Sequence, residues 1–201
     1  EAALNAALTK SGTGVLTLSG NNSVPGSYTG TTSVTGGILR LNNPNALGGG
    51  NLTLNGGLLE LQQPALFNLP VGAGPGAVQL TGAESGFSAY NNPAVVNLGG
   101  LGATQVWGGA TFNPAQLVLN SRLANNSLTL ANGLDVNGVS RTLRVLADPS
   151  SYNGANWAVS PAPAIITGSI INTSGTAAGL IKDGPGVLVL APALANNTYN
   201  G

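Results

Sequence analysis

The chain has 201 residues, the size of a single domain or of one segment of a repeat array. Only 6% of it is charged, and its formal net charge is zero, which leaves no electrostatic footprint for nucleic acid and no basic amphipathic stretch for a membrane surface. With 31 glycines and 12 prolines it could be disordered, but 42% apolar content gives it material for a core, and the absence of cysteine excludes a disulfide framework. Residues 1–8, "EAALNAAL", read as one helical turn. After them the pattern is period two: "VLTL" (15–18), "ILRL" (38–41), "LTL" (52–54), "LLEL" (58–61), "VQL" (78–80) and "VVNL" (95–98). It continues through "LVL" (117–119), "LTL" (128–130), "LDV" (134–136), "LRVL" (143–146), "SII" (169–171) and "VLVL" (187–190). Gly, Asn, Pro or Ser bound nearly every run, as turn signals do. The stretch 147–163 fits none of this and reads as a protruding loop. The most apolar window, 164–181, is broken by Gly, Asn, Thr and Ser, so it reads as short strands and no transmembrane segment is expected. The chain does not begin with Met and shows no signal peptide, so it reads as a mature or excised piece.

The apolar runs recur mostly every 17 to 23 residues, a spacing that marks a solenoid. A coil that short cannot bury its own apolar face, but stacked coils make one continuous core. The reading is all-β: a right-handed parallel β-helix of about eight to ten coils, roughly 40–50 Å long at the spacing of stacked strands. Leu16, Leu18, Leu39, Leu41, Leu59, Leu61, Val78, Leu80, Leu98, Leu119 and Leu190 should face inward. Gly and Asn suit the corners because they tolerate positive φ, and stacked Asn side chains can bond along the axis. The competing fold is an antiparallel sandwich with hairpins at 52–61 and 128–136, since Asn-Gly is the strongest hairpin signal. The long interval and the few aromatics favour the solenoid.

One phrase is written twice. Residues 8–30 run "LTKSGTGVLTLSGNNSVPGSYTG", and residues 180–201 run "LIKDGPGVLVLAPALANNTYNG". In the first, Lys10, Gly12, Gly14, Leu16, Leu18, Gly20, Asn22, Tyr28 and Gly30 lead to Gly37, Leu39 and Leu41. In the second, Lys182, Gly184, Gly186, Leu188, Leu190, Asn197, Tyr199 and Gly201 follow the same order. A "VPGS" insert (24–27) lengthens the first copy, and "APALA" (191–195) replaces the Ser-Gly of the second. The pattern resembles the passenger-associated transport repeat of autotransporters, which are secreted, adhesin-like bacterial proteins. The resemblance implies a β-helix on a bacterial surface. Residues 1–201 then read as a single solenoid segment, either one super-repeat of a longer surface protein or a fibre subunit. Residues 180–201 are expected to repeat the register of 8–30.

Candidates for chemistry are few. Without His, Cys or Met, the common triads and most transition-metal sites are excluded. Glu1, Glu60, Glu84, Asp135, Asp148 and Asp183 are the acids, and no two lie within ten residues. Glu60 and Asp135 alternate with apolar neighbours, so solvent-facing positions are expected. Lys10 beside Ser11 reads as a residue that opens a coil. Arg141 and Arg144 should point to opposite sides of a strand, with Asp148 nearby. Trp107, Trp157, Tyr90 and Tyr152 could stack on sugars, but packing under a loop or corner is the commoner role. No catalytic, cofactor-binding or metal-binding residue is assigned, and no cofactor is expected.

The function that follows is a non-enzymatic, extracellular structural or adhesive solenoid on a bacterial cell surface. Its partners would be copies of itself stacked end to end, flanking segments of the same polypeptide, or surface glycans of host or neighbouring cells. The alternative is a carbohydrate-binding or carbohydrate-cleaving β-helix, which would need two carboxylates clustered on one face.

Overall fold

The computed structural model describes residues 5–24, 27–63, 65–100, 102–146, 162–193 and 196–201. Among them are nineteen strands and no α-helix. The first two turns carry two strands each: β1 (Leu8–Lys10) and β2 (Val15–Leu18), then β3 (Thr32–Val34) and β4 (Ile38–Leu41). From there a third strand is added. β5 (Leu52–Asn55), β6 (Leu58–Leu61) and β7 (Ala65–Leu69) make one turn, and β8 (Val78–Thr81), β9 (Glu84–Ala89) and β10 (Ala94–Leu98) the next. Then come β11 (Thr104–Val106), β12 (Gln116–Leu119) and β13 (Leu128–Leu130). β14 (Gly133–Asp135), β15 (Arg141–Arg144) and β16 (Ala164–Ile166) follow, and β17 (Ile170–Ile171), β18 (Leu180–Asp183) and β19 (Leu188–Leu190) close the series.

The strands stack into four sheets, in the orders β1-β3-β5-β8, β2-β4-β6-β9-β12-β15-β18, β7-β10-β13-β16-β19 and β11-β14-β17. Every paired neighbour is parallel. This is the parallel β-helix that the spacing predicts. The candidate hairpins do not form: β5 and β6 lie in different sheets, as do β13 and β14, so each Asn-Gly between them turns a corner. Hairpin pairing would leave each apolar face without a cover, whereas parallel stacking places it on the next coil.

Three expectations need correction. The longest sheet has seven strands among the described residues, not eight to ten, and six steps of about 4.8 Å make that stack about 29 Å long. The coil is also longer and less even than 17–23 residues. Leu16 stacks on Leu39, Leu39 on Leu59, Leu59 on Phe87 and Phe87 on Leu119, steps of 23, 20, 28 and 32 residues. Leu143 on Lys182 is a step of 39. The apolar runs are closer together than the coils because each coil holds two or three of them. The helical turn at 1–8 is replaced where it is described: Leu8 opens β1, and its N–H donates to Thr31 O. Of the loop 147–163, residues 147–161 lie outside the described residues, and Ala162 and Pro163 lead directly into β16.

The core is one continuous apolar column inside the coils. Leu39, Leu41, Leu59, Leu61, Val78, Leu80, Leu98 and Leu119 are buried in it. Leu16, Leu18 and Leu190 are half-buried against it, because β2 and β19 end their sheets and have a neighbour on one side alone. Corners leave backbone groups pointing inward, and buried asparagines bind them. Asn132 Nδ2 donates to Leu98 O and Ala103 O, and its Oδ1 accepts from Leu98 N–H. Asn51 Nδ2 reaches Gly72 O, Gly74 O and Ala77 O. Asn120, at φ 68°, accepts from Ala89 N–H and donates to Ala162 O.

Gly12 and Gly37 stack at one corner, with φ 69° and 63°. A Cβ on Gly12 would meet open space, but one on Gly37 would sit inside van der Waals contact of Gly12 O and Gly14 O. Gly12→Ala should therefore cost about 1 kcal/mol of backbone strain. Gly37→Ala should cost at least about 2 kcal/mol more, because the coils must separate to admit the methyl. Urea denaturation of the two variants checks the order.

Candidate functional site

The charged residues gather on the outer side of the seven-stranded sheet. Leu39 and Leu41 point into the core, so Arg40 points out, and by register Arg40, Glu60 and Ser88 form a column on β4, β6 and β9. Contrary to expectation, Glu60 is completely buried. The chain that leaves β12 folds back over this face, and Ser121 reaches Glu60 from 61 residues away. Arg40 Nε donates to Glu60 Oε1 at 2.7 Å, while the hydroxyls of Ser88 and Ser121 each donate to Oε2 at 2.9 Å. The guanidinium also lies 3.6 Å from the ring centroid of Tyr90. Both carboxylate oxygens are thereby filled, which is what a buried charge requires. Alternation did place Glu60 on the outer side. The cover came from a distant segment that alternation cannot report.

Farther along the same sheet, Arg144 joins Glu84 at 2.6 Å and lies 3.4 Å from Asp183. Arg141 points the other way, donating to Trp107 O and Val136 O, so the two arginines do face opposite sides. Trp107 is buried and is not a sugar platform; its Nε1 donates to Pro114 O and its ring meets Phe112 edge-on. Glu1, Asp148, Tyr152 and Trp157 lie outside the described residues.

Asp135 is also buried, again against expectation. It sits on β14 in the three-stranded sheet, away from the other acids. Its Oδ1 accepts from the N–H groups of Asn137 and Thr173, and its Oδ2 from the Thr173 hydroxyl. Burial pushes its pKa up, but the Thr173 hydroxyl and these N–H groups outweigh burial and hold the carboxyl below its ordinary value. Lys10 is 7% exposed, and its ammonium is bound by Ser11 O, Gly12 O and Gly36 O at 2.6, 2.8 and 3.0 Å. It ties one glycine corner to the next, so the reading as a coil-opening residue has a physical basis. Lys182 donates likewise to Gly184 O at 2.6 Å, at a corner where Gly184 has φ 81°.

A groove of about 350 Å³ crosses the outer face beside this cluster. Val15, Ile38 and Leu58, in register on β2, β4 and β6, form an apolar floor. Leu123 and Leu146 overhang it, with Glu84 and Arg122 at its rim. The arrangement is suited to holding an apolar chain or ring. Among the described residues no group of three or more His, Cys, Asp or Glu could hold a metal, and no helix is long and apolar enough to cross a membrane.

The paired Lys-Gly corners are where a known family enters. The family model of the passenger-associated transport repeat matches residues 8–41 and 180–201. The two matched stretches together cover 56 of the 201 residues. Comparison with curated proteins and with solved structures returned no match. In both copies the repeat is strand, Lys-capped glycine corner, strand, but the copies do not share a register. The first places its strands in the four-stranded and seven-stranded sheets, the second in the seven-stranded and five-stranded sheets. The second passenger-associated transport repeat is therefore turned by one face. The motif specifies a local corner, and the residues between the copies decide which corner it becomes.

Removing Glu60 alone strands Arg40 under its cover. Glu60→Ala should cost about 3–5 kcal/mol. The double variant Arg40→Met with Glu60→Leu should recover most of it, as chemical denaturation would show. For Asp135 the sign follows from a lowered folded pKa. Its contribution is fully present above the unfolded value of about 3.9 and is lost as pH falls through the lower folded value. Asp135→Asn should flatten that part of the acid-unfolding profile followed by circular dichroism.

Proposed function

We propose that this chain is a non-enzymatic segment of an extracellular passenger-type solenoid, acting as a structural and adhesive stalk on a bacterial surface. The observation that carries the reading is the same Lys-capped glycine corner, matched to the passenger-associated transport repeat, at both ends of one parallel stack. The state of the charged groups supports it. Each described carboxylate is already engaged: Glu60 by Arg40 and two serines, Glu84 and Asp183 by Arg144, and Asp135 by Thr173 and Asn137. Carbohydrate cleavage needs two carboxyl groups flanking one bond, free to give and take protons. These four work as structural ties.

The partners in this reading are other coils of the same kind, flanking in the same polypeptide or presented by another copy, with surface glycans as a further class. Contacts of strand on strand with so little charge would depend weakly on salt. The one-face turn between the repeats means that successive copies in a longer array would present equivalent surfaces on successive sides of the rod.

Protease treatment of intact cells that produce the parent protein tests location. Peptides from this chain should be released without lysis, and their release only after lysis would overturn the reading. Sedimentation of the 201-residue chain tests self-association: a monomer at tens of micromolar, within the range where weak edge contacts act, would assign the contacts to flanking coils.

A further inference from the structure

Lys10 and Lys182 hold the same place in the two repeats, but they do not keep the same company. Lys10 is buried because its ammonium reaches two carbonyls of its own corner, Ser11 O and Gly12 O, and a third, Gly36 O, that belongs to the next coil. Lys182 is exposed, and Gly184 O is the acceptor it meets among the described residues. An ammonium has three protons to donate. β18 and β19 each end their sheet, so no described strand stacks on this second corner. Among the contacts that Lys182 lacks is the one that a following coil supplies to Lys10.

The first repeat shows the register of that contact. Gly30 packs on the peptide joining Ala6 to Ala7, and Gly201 packs on the peptide joining Ala178 to Gly179; a Cβ on either would come inside van der Waals contact of that backbone. Val34, four residues after Gly30, pairs with Lys10, four residues after Ala6. Lys182 likewise stands four residues after Ala178, so a strand leading on from the position of Gly201 would place its fourth residue on Lys182. Two residues after Val34, Gly36 gives its carbonyl to the ammonium at 3.0 Å. Gly37 follows with φ 63°, and a Cβ there would lie 2.8 Å from Lys10 Nζ. The corner that receives the lysine must therefore be Gly-Gly, with the second glycine the stricter of the two. The chain writes such a corner in "VTGGILRL" (34–41) and again in "LNGGLLEL" (54–61).

We propose that β18, β19 and Lys182 form a docking face for a coil of this type: an uncharged strand, a Gly-Gly corner and an alternating apolar strand. The first strand pairs with β18, and the carbonyl of the first glycine accepts from the Lys182 ammonium. The second strand stacks on β19 and covers Leu188 and Leu190, which are half-buried without it. Strand pairing supplies affinity, and the lysine supplies selection. A side chain at the second glycine would strike the ammonium, so a corner such as Gly82-Ala83, between β8 and β9, is refused. The N-terminal coil of a second copy fits poorly for the same reason: by register Thr13 stands where the second glycine is required, and Gly12 O is already taken by Lys10. The inference rests on the reading that coils of the same kind flank this chain.

Lys10 and Lys182 are the two lysines of the chain, so acylation followed by mass spectrometry reads both, with Lys10 as the buried standard. The whole chain is compared with the same chain carrying a second copy of residues 31–61 after Gly201. In the 201-residue chain, Lys182 should acylate at least about tenfold faster than Lys10. In the extended chain it should slow to within about threefold of Lys10, and the slowing should be lost when the added copy carries Gly37→Ala. Amide exchange reports separately whether the added strands are ordered. Slow acylation of Lys182 in the dilute unextended chain would overturn the proposal, because the ammonium would already be engaged. Ordered added strands with a fast Lys182 would overturn it, and so would added strands that stay disordered, since the face would not seat the coil it is said to fit. Equal slowing by the alanine form would overturn the selection. Slowing that grows with concentration of the unextended chain would overturn the choice of occupant in favour of a second copy. The measurement uses purified protein, so it can fail while surface release from intact cells succeeds, and the reverse.

Discussion

Every coil of this molecule depends on backbone groups that point along the rod and find their partners in the next coil. A parallel ladder supplies those partners along the strands. At corners the ladder stops, and the polar groups would be left buried and unpaired. The asparagines at 51, 120 and 132 and the lysine at 10 fill that need, each binding more than one main-chain carbonyl. A chain with 6% charge can therefore be rich in Asn and still hold a continuous apolar core.

The same demand explains the few charges. Glu60 and Asp135 are buried on the outer sides of their sheets, under chain that returns from other coils. Each is saturated by short donors. Replacing a pair such as Arg40 and Glu60 by apolar residues need not destabilise, so the pair contributes position rather than strength: it fixes where the segment after β12 lies against β4 and β6. That segment forms the overhang of the apolar groove, so the pair and the groove are parts of one arrangement.

Coil length sets the outline of the rod. Short coils near the first repeat have room for two strands, and longer ones for three, which is why a sheet begins partway along at β7. Phe67 and Phe87 fill the widened interior with ring centroids 5.5 Å apart. A uniform solenoid would have had no such step.

Much of this was legible in the sequence. Period-two runs bounded by turn residues gave the strands, their recurrence gave a stack, and "GTG" and "GPG" after a lysine gave the corners. These are local properties: side-chain alternation and the freedom of Gly and Asn at positive φ are decided within a few residues. The coil length was misjudged, because two strands of one coil look the same as single strands of two coils until their pairing is known. The burial of Glu60 was missed for a related reason, since Ser121 stands 61 residues away and only the folded chain brings it near. The sequence by itself determined that this chain would wind and where it would bend. Which face each strand joined, which acids were covered and where the rod widened were decided by the tertiary structure, because those depend on how many residues separate the bends and on what then lands on top.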